Sequence, residues 1–476
     1  EREKMIENSL IYSFLTRIGN SFMKCLNESA FVTAFLTKSD HLETVTGSLI
    51  FKAYYFLKVL FSKIFRAMRL DKLLSGSILK VTAFWAGLTI AAAPFVPTML
   101  VLLMAAAGFG SMILRLLCDE KRELRYSAVN KYIYVYAGVY LFATFLSVDL
   151  KGSLFGGLLT VCFILFSIVV INAFESRIQV KALLFVMVCG GVIVSLYGFY
   201  QYLFQSKFGG VWVDTEMFDG MFRVYSTFAN PNVLGEYFLI VIPISVACFF
   251  ISKPILMKIF YAGTTAVMLA CLVLTYSRGC YIGIAVAAAV YLVLYDKRFI
   301  FLGVLALLLM PFFLPETMLN RILSIGNMED SSTSYRVYIW MGTIAMLKDY
   351  WFTGIGPGES AYNVVYPIYG YNGISAPHSH NTFLQVMCDS GIIGIIAFAA
   401  LIYQYYKALF IAFISEKDEE SRFLILAGLA SASGFFVQSM FDYTFYNYRV
   451  MLLFWALIGL GVVFTKYSSM PEVCDD

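Results

Sequence analysis

The stretch SLFGGLLTVCFILFSIVVINA, residues 153–173, contains no Asp, Glu, Lys or Arg. About 20 such residues, rising 1.5 Å each in a helix, cross the ~30 Å hydrocarbon core of a bilayer. Working outward, comparable apolar runs lie near 79–95, 97–117, 132–148, 182–204, 232–251, 255–276, 279–295, 298–314, 391–414, 422–440 and 448–466. Pro94 and Pro97 divide the first two, which would otherwise form one overlong run. Composition agrees: 60% of residues are hydrophobic and 14% charged, against about 45–50% and 25% in soluble domains, and the mean hydropathy is +0.76. Continuous runs, rather than alternating segments of ~10 residues, exclude a membrane β-barrel. The expected fold is an all-α polytopic membrane protein of about 12 transmembrane helices.

The net charge of +4, spread over many loops, gives no electrostatic footprint for nucleic acid. Nine cysteines, mostly inside apolar runs and without a C-x-x-C pair, exclude a disulfide framework or a zinc site. The first residues are charged and mixed, without the apolar core of a signal peptide.

Every second short loop is basic: Lys121, Arg122, Arg125 and Lys131; Arg177 and Lys181; Lys253 and Lys258; Lys297 and Arg298; Lys417 and Arg422. The positive-inside rule assigns these five loops, and with them both termini, to the cytoplasm. Three regions follow: a basic N-terminal region at 1–78, a membrane domain at 79–466 and a cytoplasmic tail at 467–476. Within the first, 48–68 carries apolar and basic residues at helical spacing. It reads as an amphipathic helix, either lying on an anionic leaflet or packed on the membrane domain. The long loops 205–231 and 315–390 fall on the external side, where function concentrates.

Those two loops and one tight turn carry an unusual set of polar residues. Arg223 lies in FRVYSTFANPN (222–232), Arg278 in YSRG (276–279), and Arg336 in SYRVYIW (334–340), beside Tyr335. His378, His380 and Asn381 close the second loop in HSHNTFLQ (378–385), which holds two of the three histidines of the chain. Each has a plainer reading. Arg278 can reach lipid headgroups, Arg336 can pair with Glu329 or Asp330, and Arg223 can pair with Asp219 or Asp214. His380 can cap the next helix. Taken together, three arginines and a histidine on one face suit a phosphate-bearing lipid. Guanidinium forks match diphosphate oxygens, and a neutral imidazole can accept a hydroxyl proton. Arginines in that role need no metal, although Asp214, Glu216 and Asp219 form an acidic group that could take one. Gly354, Gly356 and Gly358 form either an anion-binding nest or a plain turn. Tyr362, Tyr366, Tyr369 and Tyr371 could stack on sugars or form an interfacial belt.

His380-Asn381, nine residues, Gly391, two residues, Gly394 resembles the H-N-x9-G-x-x-G signature of the O-antigen ligase/polymerase superfamily, bacterial membrane glycosyltransferases that use polyprenyl-diphosphate-linked glycans. The Arg278 turn, the Arg336 segment and FANPN are also similar to that family's pattern. The resemblance covers roughly 80–465 and leaves the basic N-terminal region outside it. It implies a GT-C-like fold with a large external loop between two late helices, in the bacterial cytoplasmic membrane, and a site facing outward. Arg278 and Arg336 would hold the donor diphosphate, and His380 would activate an acceptor hydroxyl. Arg223, Asn381, His378 and Tyr335 would support substrate binding, with no cofactor, no metal and inversion at the anomeric carbon. The partners implied are a lipid-linked glycan donor, a glycan or lipid-linked acceptor and the bilayer. Polymerase, ligase and protein-glycosylating relatives share the motif. The rival class is a transporter or flippase of lipid-linked oligosaccharide, which would place charges along a path at mid-membrane. The spans hold few: Glu236 lies near an outer end and Asp442 just beyond one.

Overall fold

The computed structural model describes residues 49–74, 81–119, 122–205, 222–295 and 330–473. The run at 298–314, the acidic group Asp214, Glu216 and Asp219, and Glu329 lie outside the described residues. The protein is an all-helical polytopic membrane protein; among the described residues there is no strand. The described residues form fifteen α-helices, in order: α1 (Leu49–Ala67), α2 (Leu70–Leu73), α3 (Thr82–Ala92), α4 (Thr98–Cys118), α5 (Ala128–Phe145), α6 (Leu150–Ala173), α7 (Arg177–Gln205), α8 (Pro231–Ile251), α9 (Ile255–Val273), α10 (Arg278–Tyr295), α11 (Ser331–Tyr350), α12 (Glu359–Val365), α13 (Thr382–Ser415), α14 (Glu419–Ser439) and α15 (Tyr448–Phe464). Eight of them are long and apolar enough to cross a membrane, and α3 and α15 are shorter apolar helices.

The core is built from the helices with the least polar surface to show. Helices α6, α8, α13, α14 and α15 pack on one another, with α10 lying against α14 and α5 against α13. Phe435, Phe445, Phe454 and Trp455 interlock at their centre, the Phe435 and Phe454 rings stacked 4.8 Å apart. Helices α10 and α14 approach through Gly283 and Gly434, each opposite the other's carbonyl.

Four of the basic loops gather at one end; Lys297 and Arg298 of the fifth lie outside the described residues. Glu175 pairs with Arg115 and Arg122, Lys181 with Glu420 at 3.0 Å, and Lys466 donates to the Tyr126 carbonyl at 2.6 Å. Helix α1 packs against α4 at this end. Its Lys58 donates to the Arg122 carbonyl. Phe56, Leu60, Phe61 and Ile64 face outward.

The opposite end carries the second long loop, whose described part, from Asp330 on, holds α11 and α12. A small second core of Ile339, Met346, Ile355, Tyr362, Tyr366 and Cys388 holds α11 and α12 against the start of α13. Tyr362 and Tyr366 are fully buried and stacked on each other, so they serve neither as a sugar platform nor as an interfacial belt. Helix α13 begins at Thr382, nine residues before the apolar run that marked it in the sequence. Hydropathy passes over its first turns because they hold Thr382, Gln385, Asp389 and Ser390, all buried. Those polar groups are satisfied inside the bundle: Asp389 accepts from Tyr140 at 2.8 Å and from Gln385 at 2.9 Å.

The helix is interrupted at Gly391, whose φ is +63°. There the chain segment 351–355 inserts. Ile392 N–H donates to the Trp351 carbonyl at 2.9 Å, and Ile355 N–H donates to the Cys388 carbonyl at 2.6 Å. A Cβ on Gly391 would collide with the Phe352 carbonyl. The glycine run at 354–358 is thus a docking turn for α13. Gly391→Ala is expected to destabilise the protein by at least about 1–3 kcal/mol, the cost of left-handed backbone alone. Thermal melting in detergent measures this; an unchanged midpoint would show that the inserted segment does not hold the break.

Candidate functional site

Short polar residues at helix N-termini build the site. Asn230, followed by Pro231 at the first helical position, caps α8 by accepting from Asn232 N–H at 2.8 Å. Asp330 caps α11 through Oδ1, accepting from Ser332 N–H at 2.9 Å, and its Oδ2 pairs with the Arg278 guanidinium. Asn381 caps α13, accepting from Phe383 and Leu384 N–H groups at 2.9 and 3.0 Å. These caps fix the first turns of α8 and α11 around one depression and the start of α13 beside it.

That depression is a cavity of about 290 Å³ lined by Arg223, Arg278 and Arg336, with Asn232, Trp340 and Gln438 among the other walls. Three arginines from separate segments of the sequence therefore share one cavity. They differ in how far they are committed. Arg223 is buried and donates to the Thr275 carbonyl at 2.9 Å and to Asn232 Oδ1 at 2.8 Å. Arg278 is paired with Asp330, which is fully buried. Arg336 donates to the Ser332 carbonyl at 3.1 Å, and its Nε is buried with no hydrogen-bond partner. No carboxylate among the described residues lies within ion-pair distance of Arg336. The sequence allowed an Arg336–Asp330 pair; Asp330 instead pairs with Arg278, because the α11 cap turns its second oxygen towards the α9–α10 turn.

His380 stands beside the cavity. Its carbonyl accepts from Trp340 Nε1 at 3.4 Å, and Trp340 lines the cavity wall. Tyr335 lies edge-on to its ring, 5.8 Å between centroids. The residue has φ +48°, a left-handed conformation that non-glycine residues adopt only when their surroundings impose it. Here the surroundings are hydrogen bonds: His380 N–H donates to His378 Nδ1 at 3.3 Å, and Ser379 N–H donates to Gln385 Oε1 at 2.8 Å. His380 Nδ1 lies 2.9 Å from Asp442 Oδ1. Asp442 sits in the α14–α15 connection and is 3% exposed. Burial opposes its charge, but the His380 hydrogen bond, the His380 imidazole and Arg336 outweigh it. They hold the carboxyl well below the usual carboxylate range. A carboxylate on Nδ1 sets the tautomer and leaves Nε2 free to accept a proton.

The other residues singled out in the sequence fall into supporting positions. His378 is buried and stacked on Tyr446 at 5.2 Å, and burial pushes its pKa down to about 3, with His380 and Arg336 adding to the shift. It is a neutral acceptor for the His380 backbone. Asn381 uses its oxygen as a cap and its nitrogen to donate to the Met440 carbonyl at 2.9 Å, tying α13 to the loop that carries Asp442. Tyr335 donates to the Ser375 carbonyl at 3.1 Å.

Sequence reading passed over Asp442 and Asn232. In the sequence Asp442 is only a charge just beyond a span. Its signal was available: an acid at the outer end of a span, on the same side as the histidine pair. His378, His380 and Asp442 also form the one cluster among the described residues with metal-ligand character, their donor atoms all within 4.8 Å of one another.

No curated protein matches the chain. Residues 263–399 match the O-antigen ligase family. The matched segment includes Arg278, Arg336, His378, His380, Gly391 and Gly394; Arg223, Asn232 and Asp442 lie outside it and join the site through α8 and the α14–α15 loop. That match, set in the polytopic helical architecture around it, makes this segment of the chain similar to the O-antigen ligase family.

Proposed function

We propose that this protein moves a glycan from a polyprenyl-diphosphate carrier to an acceptor hydroxyl, without a nucleotide sugar. The observation that carries the reading is the cavity where three arginines meet beside the His380–Asp442 pair. Arg336, with unused donors, takes the diphosphate oxygens, and Arg278 and Arg223 add fixed positive charge. His380 Nε2 accepts the proton of the acceptor hydroxyl as its oxygen attacks the anomeric carbon. The anomeric carbon–oxygen bond to the carrier breaks, and its electron pair leaves on the polyprenyl diphosphate. Attack opposite the leaving group inverts the anomeric centre. The site lies at the end away from the basic loops, which supports a bacterial cytoplasmic membrane location with the chemistry facing outward.

The test is purified protein in lipid nanodiscs with a polyprenyl-diphosphate oligosaccharide, followed by product analysis with three acceptor arms. Chain extension on the lipid carrier identifies a polymerase, transfer to a lipid A core a ligase, and transfer to protein a protein glycosyltransferase. Release of polyprenyl diphosphate in none of the arms overturns the reading. Movement of intact lipid-linked oligosaccharide between leaflets without glycan transfer would establish the transporter instead.

The histidine–aspartate cluster favours one second reading, a divalent cation at His378, His380 and Asp442. Against it, His378 Nδ1 already accepts the His380 N–H, and Asp442 Oδ2 accepts from Asn232. Treatment with EDTA is expected to leave transfer within about twofold of the untreated rate. A loss restored by Mg²⁺, Mn²⁺ or Zn²⁺ would assign the cluster to a metal.

A further inference from the structure

The second asparagine of the FANPN stretch has no role in the reading above, and both ends of its side-chain amide are engaged. Asn232 Oδ1 accepts from Arg223 Nη2 at 2.8 Å, and its Nδ2 donates to Asp442 Oδ2 at 2.8 Å. The amide orientation follows from chemistry: a guanidinium only donates and a carboxylate only accepts, so oxygen must face Arg223 and nitrogen Asp442. The opposite oxygen of Asp442 meets His380 Nδ1 at 2.9 Å. Arg223, Asn232, Asp442 and His380 thus form an unbroken hydrogen-bonded chain from the cavity wall to the imidazole.

We propose that Asn232 is a positioning residue that couples the arginine cavity to the base, so that Arg223 and His380 act as one unit. This rests on the transfer reading above. Both ends of the chain are anchored. Arg223 is held to the Thr275 carbonyl, in the turn that presents Arg278. Asp442 also accepts from Tyr443 N–H at 2.9 Å, within the loop that Asn381 and Thr382 tie to α13. Asn232 is itself held in the first turn of α8, beside the Asn230 cap and Pro231. Charge on an anion at Arg223 polarises the amide, and the amide donor holds the Asp442 carboxylate in the plane that orients His380. The chain brings together residues inside and outside the segment matched to the O-antigen ligase family.

No other side chain of this length offers one acceptor and one donor in a plane. Aspartate would set a carboxylate against Asp442, and serine or leucine would reach neither neighbour. This gives an exchange test in the nanodisc assay. N232D is expected to lower kcat about 10- to 100-fold, within the range of coupling seen between groups in direct contact. D442N is expected to lower kcat as well, because His380 loses its charged partner. The double variant N232D/D442N restores an amide opposite a carboxylate and is expected to recover about tenfold over N232D. Turnover is corrected for folded fraction, and kcat and donor KM are measured separately. If N232D does not fold, N232S replaces it; kcat falls there while the melting midpoint and donor KM stay close to wild type. A double variant no better than N232D, or wild-type kcat in N232D or N232S, overturns the coupling. H380A, run alongside, separates the two ideas. An active H380A removes the reading of the site itself, whereas an inactive H380A with an active N232D removes the coupling alone.

Discussion

His380→Ala is expected to lower kcat by roughly 10²–10⁴, the contribution of a positioned general base, with a smaller effect on folding, because the buried Asp442 keeps its hydrogen bonds from Asn232 and Tyr443 N–H. The side chain is partly exposed, 21%, and reaches no apolar core, so truncation opens no internal cavity. The loss is expected in kcat, with donor KM nearly unchanged, because the arginine walls remain. Asp442 tests the same assignment from the other side. Its Oδ1 fixes the imidazole, so His380→Ala combined with Asp442→Asn should cost little more than His380→Ala alone. Groups acting as one unit are not additive. Single-turnover assays on detergent-purified variants check both statements. Full transfer by His380→Ala would end the assignment, and additive losses would show that Asp442 acts elsewhere.

Arg336→Ala and Arg278→Ala are expected to fail for different reasons. Arg336 has no carboxylate among the described residues, and one unused buried donor. Its removal is expected to cost about 10²–10³ in kcat, or about 2.7–4 kcal/mol, as for a preorganised donor aimed at developing charge. The melting midpoint should hold. Lysine should rescue only in part, since it keeps the charge but not the fork. Arg278 instead balances Asp330, which is 0% exposed. Its removal takes this guanidinium away from a buried carboxylate, and breaking such pairs costs about 3–5 kcal/mol of stability. Arg278→Ala should therefore melt early. Asp330→Asn should partly restore its stability, because the asparagine still caps α11 without a charge to balance. Thermal melting alongside donor-binding isotherms separates the two effects. Equal stability of both alanine variants would show that the Arg278–Asp330 pair is not structural.

The residues Arg223, Arg278, Arg336 and His380 could be picked from the sequence because charged groups stand out in a chain this apolar. For the same reason, the sequence failed at α13. Thr382, Gln385 and Asp389 looked like loop, and only their partners across the bundle make them helix. It also missed Asp442 and Asn232. Asp442 lies 62 positions from His380, as the residue numbers give, and its meaning depends on a hydrogen bond that no local pattern records.

Most of the apolar helix positions, the membrane-embedded class and the side on which polar chemistry collects follow from the sequence, since a continuous apolar run buried in lipid can satisfy its backbone only as a hydrogen-bonded helix. Tertiary structure decided the division of labour among the arginines, the left-handed His380 and the chain through Asn232. Those depend on which cap oxygen faces which cation, and contacts between distant segments exist only once the helices have packed.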